Sequence, residues 1–326
     1  MTSTNQETLD AALSRLHLLV PKPLLSPKVA IVCGSGLSTL GTSIQDRVDI
    51  PYSEIPGFLT SKVPGHQSIL AFGWIGEDGR RTPVVAMLGR LHIYEGHTAQ
   101  QVTFPIRLFS RMGCTNIILT NAAGSLNSAI GVATIVVIQD HLSLPSLTGL
   151  NPLIGPTFTP STPRFIPLSD AYSRSLRKLV FHAAAKLNLP YGALSEGVYC
   201  WVTGPTFETA AEGTFLRLAG GDVVGASTVP EVAVAKEEGM QILALSLVTN
   251  MVVMSSADQG VRAEVERELV GERVIAYAVT DTVQNTEIQE SHEPTTVVSH
   301  DEVLATGLAK AELMKVLVVE VVHSLP

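Results

Sequence analysis

The chain has 326 residues, 45% of them hydrophobic, with 22 basic against 30 acidic side chains and a formal charge of -8. That length supports one generous domain or two ordinary ones, and the acidic balance argues against an extended nucleic-acid surface while leaving room for a local anion pocket. Cys33, Cys114 and Cys200 form no close pair, so neither a disulfide framework nor a zinc knuckle is expected.

Met1 to Glu7 lacks a basic region leading into an apolar signal segment, and no run reaches ~18 apolar residues, so a cytoplasmic protein without a membrane span is expected. Leu9, Leu13, Leu16 and Val20 share one face of a helix over Thr8 to Leu19, which Pro21, Pro23 and Pro27 end. Strand candidates follow at Lys28 to Cys33, Ser68 to Phe72, and Pro83 to Leu88. The third stops at Gly89 and delivers the loop Arg90-Leu91-His92-Ile93-Tyr94-Glu95-Gly96.

A helical pattern runs from His97 to Met112, then β-like segments from Thr115 to Leu119 and Thr134 to Ile138. Residues 143–167 are rich in Pro, Gly, Ser and Thr and read as a long irregular excursion. Helix resumes from Ser169 to Leu187, followed by a strand at Val198 to Val202 and a helix from about Thr209 to Leu218. Asp222 to Gly225 is a strand stub, Glu231 to Glu238 is helical, and Gln241 to Val248 is a strongly apolar strand ending at Thr249-Asn250. The polar stretch at about 255–298 departs from this rhythm, with helix-compatible charge from Val261 to Leu269, before a last helix from Asp301 to about Val316. The order is α/β, without repeat or clear linker, so a single domain over 1–326 is expected, binding ligand beyond the strands' carboxyl ends.

Several strand ends carry candidate chemistry, each with a plainer alternative. Gly34-Ser35-Gly36 lets backbone amides and a hydroxyl approach an anion, or is an ordinary turn; it is neither a Walker A loop nor a three-glycine dinucleotide fingerprint. Arg90 and His92, two apart on an extended segment, point to one side, where the guanidinium fork and an imidazole suit a tetrahedral oxyanion. Their alternative is a surface salt bridge and a satisfied turn histidine. His66, in Pro64-Gly65-His66, is a further donor or a structural histidine. Asn121-Ala122-Ala123-Gly124 lets a flat ligand or a sugar lie close to the backbone, or is a tight strand-to-loop transition.

Phe207 can stack on a ligand whose N–H face Glu208 accepts, or Glu208 sits in a helix's first turn. Asn250 carries both a donor and an acceptor, able to read an oxygen and a ring nitrogen, or is a turn asparagine. With no HExxH, paired-cysteine metal motif or GxSxG elbow, no metal is expected, and electrostatic stabilisation and positioning come before covalent chemistry.

Taken together, these segments resemble the trimeric purine nucleoside phosphorylase family. The islands are Gly34-Ser35-Gly36-Leu37, Tyr52-Ser53-Glu54-Ile55-Pro56-Gly57, Val63-Pro64-Gly65-His66, Gly89 to Gly96, Thr120 to Gly124, Asp140-His141-Leu142, Gly204-Pro205-Thr206-Phe207-Glu208-Thr209, Ser227-Thr228-Val229-Pro230-Glu231 and Thr249-Asn250. They cover roughly 28–254 and resume at about His300 to Leu308.

The resemblance implies a three-layer fold with a mixed central sheet flanked by helices, and a homotrimer. It implies a phosphate site at Ser35, His66, Arg90, His92, the backbone of Ala122, and Ser227. Tyr94, Tyr199, Ala226 and His300 would lie beside the ribose, with Tyr199 also toward the base. Ala123, Phe207, Glu208 and Asn250 would hold the base, and Phe165 would reach a neighbouring subunit's pocket. The implied activity is reversible phosphorolysis of inosine, guanosine and their 2′-deoxy forms, with phosphate as co-substrate and no cofactor. Asn250, Glu208 and His92 are then the catalytic residues.

Asn250 and Ser227 fit a 6-oxopurine enzyme better than a methylthioadenosine phosphorylase, which resembles this pattern with aspartate and threonine there. A nucleoside-binding protein with weakened turnover is the other alternative. The chain departs from the family pattern at Ala226, where methionine is usual, at Met251, where lysine is common, and in the long stretch before His300.

Overall fold

The computed structural model describes residues 2–34, 37–77, 79–158, 163–254, 261–262, 265–270 and 300–325, with backbone alone at 2–5, 300–304 and 309. Ser35 and most of 255–298 therefore lie outside the described residues.

Helix α1 (Thr2–Leu19) buries Leu9, Ala12 and Leu16, a helical spacing that turns one face inward. Strand β1 (Val29–Cys33) is buried at every position, as a strand covered on both faces must be. β2 (Gln45–Pro51) was not foreseen, because a mostly exposed edge strand needs no apolar run. β3 (Ile69–Glu77) and β4 (Arg80–Leu88) pair antiparallel along their whole length. β3 thus runs beyond the expected Ser68 to Phe72.

Helix α2 (Ala99–Arg111) starts at a reciprocal Thr98–Gln101 capping box, which satisfies two end groups at once. β5 (Asn116–Ser125) continues through Asn121 to Ser125, residues expected to form the turn after it. β6 (Ile135–Ser143) is followed by one helical turn, α3 (Leu144–Leu147). α4 (Arg174–Lys186) begins at Ser173, which caps it. The expected start at Ser169 fails because Tyr172 forms a β-bridge to Ile242 and Ser173 N–H donates to Ile242 O at 2.8 Å.

β7 (Leu194–Trp201), α5 (Ala210–Leu218), β8 (Val223–Gly225), α6 (Val229–Glu237) and β9 (Gln241–Met251) follow. Residues 261–262 and 265–270 are helical, and α7 (His300–His323) is longer than the sequence suggested.

The strands form one mixed sheet, ordered β2-β3-β4-β1-β5-β8-β7-β6-β9, with a further β5–β9 pairing. Helices cover both faces. Ala30 and Val32 of β1 face a core shared with α1, α2 and α6, while Val29, Ile31 and Cys33 face one shared with α4 and α7. Leu317, Val318, Val321 and Val322 of α7 are fully buried, each worth roughly 1.5–3 kcal/mol against exposure.

One half of the sheet closes on itself, because β9 pairs with both β6 and β5. Along β5, β1 is the neighbour as far as Leu119, and β8 takes that side from Gly124. The change of neighbour opens the sheet at Thr120 to Ala123, the kind of switch point where α/β proteins accommodate ligands.

Candidate active site

A cavity of about 470 Å³ lies at that switch point, walled by the ends of β4, β5, β8 and β9 and by the loops after β7 and around Lys62 to Pro64. The volume falls within the ordinary range for small-molecule sites. Arg90, His92, Tyr94, Ala122, Ala123, Phe207, Glu208, Ala226, Ser227 and Asn250 all line it.

Arg90 follows β4 through Gly89, at φ 104°, where a methyl would fall 2.9 Å from His66 Cα. Only glycine allows both that backbone and that approach. The Arg90 side chain is 1% exposed. Its Nη1 donates to Ser227 Oγ at 2.7 Å and Thr228 Oγ1 at 3.0 Å, and Nε stands 3.5 Å from Glu231 Oε1. Nη2 is buried with no hydrogen-bond partner among the described residues. A buried guanidinium fixed by one nitrogen, with another still to be satisfied, is a pre-oriented anion donor.

His92 is fixed by Glu95, whose Oε1 accepts from the His92 backbone N–H at 3.0 Å and lies 3.2 Å from ring Nδ1. Glu95 Oε2 accepts from Ser61 Oγ and Lys62 N–H, each at 3.0 Å. Burial alone would raise the Glu95 carboxyl, but hydrogen bonds from His92, Lys62 and Ser61 outweigh it and hold it at about 2. A carboxylate opposite Nδ1 keeps the proton there and turns Nε2 outward.

His66 is oriented in the same way: Nδ1 meets Arg90 O at 2.8 Å, and a carbonyl can only accept. The His66, His92 and Tyr94 rings stack in a row, with centroids 5.3 and 4.5 Å apart. Burial lowers both histidines, His66 to about 4; the Arg90 charge adds to this at each, while at His66 the Arg90 carbonyl opposes it more strongly. His66 is the end ring of this row and is not among the residues that wall the cavity.

Asn250 is the penultimate residue of β9, just past a bulge: Ala123 pairs with Val248 but Gly124 pairs with Asn250. The extra residue lets consecutive side chains, Thr249 and Asn250, both face the cavity. Thr249 Oγ1 lies 3.1 Å from Asn250 Oδ1 and 3.3 Å from Ala123 O. Glu208 directly precedes Thr209, the N-cap of α5, and Glu212 supplies the acidic residue of that helix's first turn. The plainer role considered for Glu208 therefore belongs to Glu212. Burial raises the Glu208 carboxyl, and nearby Glu212 adds to it.

Ala226 and Tyr94 meet at Gly204, where a methyl would stand 3.2 Å from both Ala226 Cβ and Tyr94 Cδ1. Tyr199 is fully buried behind the cavity wall, which it touches through a hydroxyl that accepts from Ser227 N–H at 3.3 Å. Phe165 is 90% exposed. Ser35 lies outside the described residues, as does the His300 side chain.

The cavity therefore joins fixed cationic and hydroxyl donors to an amide, a carboxylate with a raised pKa and an aromatic ring. Residues 28–312 match the model of the phosphorylase superfamily. A purine nucleoside phosphorylase of Saccharomyces cerevisiae is 48% identical over 235 residues, covering 71% of this chain and 74% of the relative. The chain belongs to the purine nucleoside phosphorylases of that superfamily.

Solved structures of the Schistosoma mansoni purine nucleoside phosphorylase agree. Its adenosine complex superposes with a TM-score of 0.79 at 35% identity over 98% of each chain. Its inosine complex gives 0.79 and 35% over 98% of this chain and 97% of that one. The chain is thus a nucleoside-cleaving transferase by family.

Four polar side chains of this neighbourhood escaped the sequence reading of individual roles: Glu95, Asn121, Thr228 and Glu231. Glu231 had a signal, being the one charge between Val229 and Ala235, a run buried throughout; such a charge needs a partner.

Proposed function

We propose that the protein catalyses reversible phosphorolysis of 6-oxopurine nucleosides, inosine, guanosine and their 2′-deoxy forms, to the free base and α-(deoxy)ribose 1-phosphate. The observation that carries this reading is the buried Arg90, held by Ser227, Thr228 and Glu231 with Nη2 unsatisfied beside a cavity that also holds Asn250. A hydrolase needs no such donor.

Inorganic phosphate is the co-substrate, and no cofactor takes part. Arg90, Ser227, Ser35 and the Ala122 backbone donate to the phosphate, while Nε2 of His92 accepts from its remaining proton and His66, stacked on His92 outside the cavity wall, backs that ring. As the C1′–N9 bond stretches, the phosphate stabilises the ribosyl cation and then captures C1′. Glu208, whose raised pKa suits a carboxyl close to a proton-bearing base edge, anchors the purine with Phe207. Asn250 stabilises charge growing at N7 and O6. Tyr94, Ala226 and His300 lie along the ribose. Phe165, an exposed phenyl, serves the neighbouring subunit of a homotrimer in the cytoplasm.

The Schistosoma mansoni relative is found with both adenosine and inosine. Discrimination is therefore assigned to Asn250 rather than to the shape of the scaffold. The test is release of hypoxanthine from inosine with and without phosphate, beside adenosine and methylthioadenosine. Phosphate-dependent release from inosine in preference to the amino nucleosides is expected. Preference for methylthioadenosine would reassign the specificity, and inosine binding without turnover would leave a binding protein.

A further inference from the structure

Thr228 forms the turn between β8 and α6, directly after Ser227. Its backbone lies at φ 75°, ψ −52°, and Val229 N–H donates across it to Ser227 O at 2.9 Å. This is the rare, strained three-residue turn, and a β-branched residue is poorly suited to it. The residue is completely buried, and its hydroxyl stands at the centre of a polar trio. Arg90 Nη1 donates to Thr228 Oγ1 at 3.0 Å, Asn121 Nδ2 donates to it at 2.9 Å, and Ser227 Oγ lies 3.1 Å away.

A hydroxyl has two acceptor sites and one proton. Arg90 and Asn121 fill both acceptor sites of Thr228, so its proton goes to Ser227 Oγ. Ser227 then accepts from Thr228 and, at 2.7 Å, from Arg90 Nη1. Its acceptor sites are filled in turn, and its own proton must point out of the trio. Two outlets face it: the cavity, which Ser227 lines, and the Tyr199 hydroxyl, which already takes the Ser227 backbone N–H. A charged oxyanion outcompetes a neutral phenol for that proton.

We propose that Thr228 is a positioning residue, which compels Ser227 to present its proton, and not a lone pair, to phosphate. The proposal rests on reading the cavity as a phosphate site. Its direction follows from the Asn121 amide donating to Thr228.

Three variants test it by initial-rate kinetics, with phosphate and inosine varied separately. Thr228→Val keeps the shape and deletes the hydroxyl, Thr228→Ser keeps the hydroxyl, and Thr228→Gly deletes the hydroxyl while relieving the backbone, so one hydroxyl-free chain folds even if Val does not. Thr228→Val and Thr228→Gly should raise KM for phosphate ~10–100-fold, leave KM for inosine within about twofold, and contrast with Thr228→Ser near the parent. Unchanged phosphate KM in the hydroxyl-free variants overturns the proposal, as does a parallel rise in inosine KM or a Ser variant as poor as Val. If the parent chain itself releases no hypoxanthine with phosphate present, the phosphorylase reading falls, and this proposal with it.

Discussion

Arg90 and Glu231 face each other across 3.5 Å with side chains only 1% and 3% exposed, and the second carboxylate oxygen of Glu231 has no hydrogen-bond partner among the described residues. The pair is therefore more than a handle for a substrate anion. It neutralises the one charge on a helix segment buried from Val229 to Ala235.

Deleting the guanidinium should cost more than activity. Arg90→Met leaves the Glu231 carboxylate buried and alone, which should destabilise the fold by about 3–5 kcal/mol and abolish phosphate-dependent turnover. Adding Glu231→Gln should restore most of the stability and none of the turnover. Denaturant unfolding of the two variants decides it: an equal stability loss in both would mean that the pair is not the origin of the effect.

Asn250 offers a donor as well as an acceptor, whereas aspartate at pH 7 only accepts. A 6-oxopurine presents acceptors at O6 and N7, and adenine presents a donor at N6. Asn250→Asp should therefore lower the inosine-to-adenosine ratio of kcat/KM by ~10²-fold or more. A ratio that stays put would move the discrimination to another residue.

His66 makes the fold acid-sensitive. Burial, then His92, lower its pKa from the usual 6.5 to about 4, with the Arg90 carbonyl opposing. Between those values the unfolded chain binds more protons than the folded one. The stability is fully present above pH 6.5 and is lost as pH falls toward 4, on the order of 3 kcal/mol at most. Glu95, held at about 2, acts lower, as the pH falls below 4.5. The melting temperature should drop between pH 6.5 and 4.5, and drop less in His66→Asn, whose amide can still donate to Arg90 O. Equal slopes in parent and variant would remove His66 from the explanation.

The strand-then-turn rhythm was legible because buried strands read as short apolar runs that stop at small or polar residues. Arg90 and His92 were legible as a pair because residues two apart on extended backbone share a side, and both do line the cavity. β2 was not legible: Gln45, Asp46, Arg47 and Asp49 carry no apolar alternation, and the strand needs only β3 beside it. Nor could periodicity reveal that β9 joins β5, a partnership between segments more than a hundred residues apart. Asn121 and Thr228 were hidden for a further reason. A small polar residue in an apolar run looks the same whether it ends a strand or serves a buried polar cluster, and only the third dimension brings Arg90 and Asn121 to the same Thr228 hydroxyl.

The β5–β9 ladder runs from Asn116 opposite Gln241 to Ser125 opposite Met251, so Ala122 and Asn250 belong to a single hydrogen-bonded frame. The interval between the groups assigned to phosphate and to base is therefore ruled by backbone, at a fixed number of rungs. New substrates can be admitted by exchanging side chains along that frame or by reshaping the loops at Lys62 to Pro64 and Gly204 to Glu208. Stretching the pocket is the harder route, because the ladder already absorbs one extra residue at the bulge between Ala123 and Gly124, and another would have to be absorbed by a second bulge or would shift every rung beyond it.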